Sequence, residues 1–75
     1  MVVPFYILLR TRIGQNANVV HQIQKIEGVK VVHSVMGHYD VILYAEGTNL
    51  EDVRRIREAV HQLRDVTITE TAIHT

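Results

Sequence analysis

Seventy-five residues without a cysteine make one small domain, with no disulfide framework and no Cys-based zinc site to staple it. Eight Lys+Arg balance eight Asp+Glu, so the formal charge is 0 and the basic footprint of a nucleic-acid binder is missing. Hydrophobic residues make up 47% with one Pro and four Gly, the profile of a folded chain rather than a disordered one.

A chain this short buries only about 60% of its unfolded surface, which leaves a lone monomer marginal. Neutrality also removes the repulsion that keeps small proteins apart. The stretch Met1 to Leu9 is apolar, but Arg10 and Arg12 follow it and no basic residue precedes it. That order does not fit a signal peptide, and the run is far short of a membrane span. A soluble, cytoplasmic protein without membrane contact is expected.

Val2 to Thr11 is rich in β-branched and aromatic residues and reads as a strand, with regular pairing expected from Phe5 because Pro4 has no amide proton. Asn16 is placed to cap a helix from Ala17 to Glu27, whose Val19, Val20, Ile23 and Ile26 form a one-sided stripe, with Gly28 as its stop. Val29 to Met36 reads as a second strand, Gly37-His38 as a tight hairpin turn, and Asp40 to Glu46 as a third strand. Asn49 with Asp52 resembles a capping box. The helix that follows carries Leu50, Val53, Ile56, Val60 and Leu63 on one side, and Val66 to Thr75 is a Thr-rich fourth strand. The order β-α-β-β-α-β predicts a ferredoxin-like α+β fold: a four-stranded antiparallel sheet with both helices on one face.

The strands do not alternate as a half-wet sheet should. Phe5, Ile7 and Leu9 share one face of the first strand, and Tyr6 and Leu8 the other. Val41, Leu43 and Ala45 share one face of the third, and Ile42 and Tyr44 the other. Both faces ask to be dry. A sheet-to-sheet dimer through Tyr6, Leu8, Ile42 and Tyr44 follows, a dimeric α/β barrel.

Catalytic and metal signals are thin. His21, His33, His38, His61 and His74 show no pair at i, i+3 or i+4 on one helix, and no metal or cofactor is expected. No nucleophile stands at a recognisable spacing from a base, and no glycine-rich phosphate loop occurs. Arg54-Arg55-Ile56-Arg57 is flanked by Glu51, Asp52 and Glu58 and reads as a solvated helix face. The segment Val35 to Asp40 is more informative. It places a carboxylate beside a glycine whose backbone a ligand can approach. The hydroxyls of Thr67, Thr69 and Thr71 recur at every second residue of the last strand, a pattern that strand propensity alone also yields.

Gly28-Val29, then Gly37-x-Tyr39-Asp40-Val41, then Thr69-x-Thr71 resemble the effector-binding domain of the Lrp/AsnC transcriptional regulators, also called the regulation-of-amino-acid-metabolism (RAM) domain. The resemblance covers nearly the whole chain. It implies a homodimer that assembles further into a tetramer or octamer, with a free amino acid bound between dimers. Carried over, it nominates Gly37, Tyr39 and Asp40 for ligand binding, with Thr69 and Thr71 on the last strand, and His38 between them is placed to tune the preference for the ligand's side chain. Two departures stand out. Regulators of this family carry an N-terminal helix-turn-helix domain, whereas this chain starts at the first strand, and Asp65 stands where a glycine often precedes the last strand. The expectation is a single, stand-alone domain over residues 1–75. It would not bind DNA directly or act as an enzyme. It would influence transcription or amino-acid metabolism by assembling with itself or with full-length Lrp/AsnC regulators. The alternative is a small dimeric ferredoxin-like enzyme with an active site between sheet and helices, recruiting Tyr6, Tyr44 and His33.

Overall fold

A computed structural model describes residues 1–74. The elements are β1 (Val3–Thr11), α1 (Asn16–Ile23), β2 (Val29–Ser34), β3 (Val41–Gly47), α2 (Leu50–His61) and β4 (Val66–Ile73). The strands form one antiparallel sheet in the order β2-β3-β1-β4. This is the ferredoxin-like arrangement.

The central pair sets everything else. β1 and β3 run in register from Val3 opposite Gly47 to Leu9 opposite Val41. Because side chains alternate across a strand, Phe5, Ile7 and Leu9 fall on the same face as Ala45, Leu43 and Val41. All six are at most 1% exposed, and they pack with Val19 and Ile23 of α1 and with Val53, Ile56 and Val60 of α2. The space between sheet and helices is therefore filled core. Tyr6, Leu8, Ile42 and Tyr44 point to the opposite face, as the alternation predicts, with Tyr6 across from Tyr44 and Leu8 across from Ile42.

Four element ends and the burial of one residue depart from expectation. The first helix stops at Ile23 rather than Glu27. Lys25 and Ile26 donate to carbonyls only three residues back, a tightened last turn, and Ile26 still packs on the core. Asn16 is the first helical residue, not its cap. Its amide oxygen accepts from the Thr11 hydroxyl at 2.9 Å and its amide nitrogen donates to the Ser34 hydroxyl at 3.4 Å, so it ties strand ends together. β2 ends at Ser34, and Val35 to Asp40 form a six-residue loop instead of a two-residue turn. Leu50, expected on the buried stripe of α2, is 66% exposed in the helix's first turn. The fourth strand ends at Ile73, and Thr75 lies outside the described residues.

The start of α2 matches its sequence signature. The Asn49 side chain accepts from Asp52 N–H at 3.0 Å, while the Asp52 carboxylate accepts from the Thr48 N–H and hydroxyl, each at 2.7 Å. The Thr48 backbone bond, then its hydroxyl, hold the Asp52 carboxyl below the usual carboxylate range. A lowered folded-state value stabilises the cap above the ordinary carboxyl range, and that contribution is lost as pH falls through the lowered value.

Gly28 immediately precedes β2 at φ +99°, and a Cβ there would meet Ile56 Cδ1 at 2.7 Å. Gly37 has φ +138° with nothing within 4 Å of the same position. Both carry the backbone penalty for an L-residue, but only Gly28 adds an overpacked core. Gly28→Ala is expected to lose about 2–4 kcal/mol of stability in urea unfolding, and Gly37→Ala about 1–2 kcal/mol. Equal losses would contradict the close approach to Ile56.

Candidate functional site at the open sheet face

Asp40 holds the 35–40 loop against the sheet with three bonds. Its N–H donates to the Leu9 carbonyl at 2.9 Å, its carbonyl accepts from Val35 N–H at 2.9 Å, and its Oδ2 accepts from Thr11 N–H at 2.9 Å. The β1–β3 register ends at Leu9, so the carboxylate stands in for the strand carbonyl that Thr11 would otherwise lack. Thr11 is a buried polar residue, which makes that substitution necessary.

The loop then reaches over the open face of the sheet. The His38 carbonyl accepts from Arg10 Nε at 2.6 Å, which fixes the guanidinium beside the loop. The Tyr39 hydroxyl donates to the Glu70 carboxylate on β4. Arg10, His38, Tyr39 and Ile68 line a shallow hollow there of about 320 Å³. Glu70 stands opposite Leu8 and Ile68 opposite Arg10 in the β1–β4 register. A fixed cation, a carboxylate and a phenol thus meet at one end of the open face. The hydrogen bond to Glu70 raises the Tyr39 pKa above the ordinary phenol value, aided by burial and the Glu70 charge and opposed by Arg10.

A second hollow of about 460 Å³ lies farther along the same face, lined by Pro4, Tyr6, Val31, His33, Ile42, Leu43, Tyr44 and His74. The Tyr6 and Tyr44 rings tilt against each other with centroids 5.1 Å apart. The Tyr44 hydroxyl donates to Glu46 at 2.8 Å, which raises its pKa, with burial adding to the effect.

Thr69 and Thr71 do not join the loop residues within one protomer. The register puts them opposite Leu9 and Ile7, on the helix side of the sheet. The Thr69 hydroxyl lies 3.4 Å from His61 Nδ1, and the buried Thr71 hydroxyl has no partner among the described residues. Thr67 leaves the expected row because the register shifts between Arg10 and Thr11, and its hydroxyl donates to the Arg10 carbonyl at 3.4 Å. Arg10 and Glu70 are the polar groups that sequence reasoning missed. Alternation within β4 does put Glu70 between Ile68 and Ala72 on one face, but the strand that carries Arg10 is assigned as its neighbour only by the sheet order. Among the described residues, no three His, Asp or Glu side chains gather as metal ligands, and no helix is long and apolar enough to cross a membrane.

The family model for the Lrp/AsnC ligand binding domain matches residues 5–75. The chain belongs to this family. A curated relative, the HTH-type transcriptional regulator LysM of Saccharolobus solfataricus, is 33% identical over 52 residues, covering 69% of this chain but 37% of LysM. Among solved structures, FFRP-DM1 superposes with a TM-score of 0.90 at 28% identity, covering 97% of this chain and 99% of that one. E. coli AsnC superposes at 0.87 with 14% identity, a likeness of fold, covering 96% of this chain and 50% of AsnC. The Lrp/AsnC assignment makes this a ligand-binding domain from a family of transcriptional regulators rather than enzymes.

Replacing Glu70 by Gln removes the charge and the strongest acceptor at Tyr39. In a spectrophotometric titration, Glu70→Gln is expected to move one phenol ionisation down toward the ordinary range, while the raised Tyr44 ionisation stays in place. An unchanged curve would rule out the Tyr39–Glu70 contact in solution.

Proposed function

We propose that this Lrp/AsnC domain binds a free α-amino acid beside the 35–40 loop and transmits occupancy through assembly of protomers. The observation that carries this reading is the meeting of Arg10, Tyr39 and Glu70 at one end of the open face. A zwitterion offers a carboxylate and an ammonium a few ångströms apart. Arg10 presents a planar fork of donors suited to the first, and Glu70 an ionised acceptor for the second. Tyr39 donates to Glu70 in the free protein and shares that acceptor with the incoming ammonium. His38 lines the hollow, with Gly37 before it in the loop and Asp40 anchoring the loop's end. A structural relative supports the ligand class, since the regulator NMB0573 from Neisseria meningitidis is described in complex with L-Met.

The hollow is shallow, so a neighbouring protomer completes it. The face itself favours a second copy of this chain. Tyr6, Val31 and Ile68 stand 38%, 43% and 52% exposed beside half-buried Leu8, Ile42 and Tyr44, a patch too apolar for water over a core this small. Covering roughly 400 Å² of apolar side chain per protomer stabilises the pair by on the order of 10 kcal/mol per protomer before association costs. In this reading the domain pairs sheet to sheet. Pairs then associate further, with themselves or with longer Lrp/AsnC regulators, and the amino acid biases that equilibrium.

Titration calorimetry with each proteinogenic amino acid is expected to find at least one that binds below millimolar. Glu70→Gln and Arg10→Gln are each expected to weaken it by about 1.5–3 kcal/mol, the range for hydrogen bonds to charged groups. Asp40 is a poorer probe, because its carboxylate also holds Thr11. No binding by any amino acid would end the ligand assignment, and unchanged affinity in both variants would move the site elsewhere. Light scattering at micromolar concentration is expected to show no 8.6 kDa monomer at neutral pH, and a clean monomer would defeat the pairing.

A further inference from the structure

The apolar hollow on the open face has an imidazole at each side. His33 stands on the edge strand β2, opposite Ile42. His74 follows β4 at the other edge of the sheet, where its N–H donates to the Pro4 carbonyl at 3.0 Å. Between them lie Val31, Tyr6, Ile42 and Tyr44. We propose that protonation of His33 and His74 opens the sheet-to-sheet pair, so that assembly is sensitive to mild acid. The inference rests on the pairing proposed above and adds its regulation.

The argument is one of desolvation. Closing two copies over this face removes water from the hollow and from its rims. An imidazole that is neutral loses little in that transfer, whereas an imidazolium must shed its hydration or keep the faces apart. Among the described residues no carboxylate lies within 4 Å of either imidazole, and the charged groups on this face are few. From β3 the face presents Tyr44 and Glu46, and that carboxylate already accepts from the Tyr44 hydroxyl. From β1 it presents Tyr6 and, at the far end, Arg10. From β4 it presents Glu70, which accepts from Tyr39. Two-fold pairing duplicates every group, so the apolar hollows bring four imidazoles into the interface, and His38 at the far end of the same face adds one more from each protomer.

Net charge acts in the same direction. Acid and base side chains cancel with histidine neutral, so protonating all five histidines takes each protomer from 0 to +5. Identical protomers then repel. The local and the global effects are separable, because His21 and His61 sit on α1 and α2, away from the hollow.

Sedimentation of the untagged protein near neutral and mildly acid pH tests the proposal. For a side chain with the reference imidazole value, having to stay neutral in the dimer weakens the pair about ten-fold between about pH 7.5 and 5.5. The dissociation constant of the wild-type dimer is therefore expected to rise at least about ten-fold over that range. His33→Gln/His74→Gln should flatten the response. His21→Gln/His61→Gln changes net charge by the same amount and should leave it intact. A wild-type dimer indifferent to pH, or equal responses in the two double variants, would overturn the inference and leave the pairing standing. A monomer at every pH would overturn the pairing and the inference together. Circular dichroism on the same samples must stay constant, since loss of helix in step with dissociation would mean acid unfolding and would also overturn it.

Discussion

The in-register pairing of β1 with β3 is the constraint from which the rest follows. It sorts two strongly apolar strands into two faces at once. One face meets α1 and α2 and closes into the core. The other carries side chains of nearly the same character with no helix above them. A larger domain would add a layer there. The described residues form two helices, and both lie on the same side. The apolar second face is therefore not a local accident of a few residues. It is what a six-element chain leaves over when its central strands are built to be dry on both sides.

The loop between β2 and β3 solves a separate problem. β1 outruns its partner, and the strand end at Thr11 has a buried N–H with no ladder carbonyl opposite. Asp40 supplies the missing acceptor from its side chain while its own backbone bonds to β1 and to Val35. That fixes the base of the loop and lets the next residues lean over the open face, where His38 and Tyr39 take hold of Arg10 and Glu70. Structural and binding roles thus divide along the loop. Asp40 anchors it, and the residues before it meet the polar groups of β1 and β4.

Fold class, strand faces and the cap of α2 were legible because each rests on local pattern. Alternation in Phe5 to Leu9 and Val41 to Ala45 assigns faces without knowledge of neighbours. Asn49 and Asp52 announce a helix start by their spacing. The misjudged features depend on tertiary partners. Asn16 has the chemistry of a cap, but it is drawn to the Thr11 and Ser34 hydroxyls instead. Ile26 fits a helical stripe, yet it reaches the core from a tightened turn, because position rather than helix is what burial requires. The six-residue loop looked like a two-residue turn because Gly37 carries a turn signature. The polar cluster was hidden for a different reason. Arg10 and Glu70 come from opposite ends of the chain and meet only through the order β3-β1-β4, which no local pattern encodes.

That same order has a consequence for how the molecule comes into being. Of the four strands β1 is synthesised first, and it sits between the third and the last. Its pairing with β4 joins Phe5 to Ile73, so the sheet closes a loop of nearly the whole chain. Non-local pairing of this kind slows folding, since the entropy of loop closure is lost before the contacts form. Until β4 is synthesised, the β4-facing edge of β1 stays unpaired beside its apolar face. Newly made chains therefore hold a sticky edge longest on a strand that is central in the finished sheet, and a fast partner for the nascent strand has most influence in that interval.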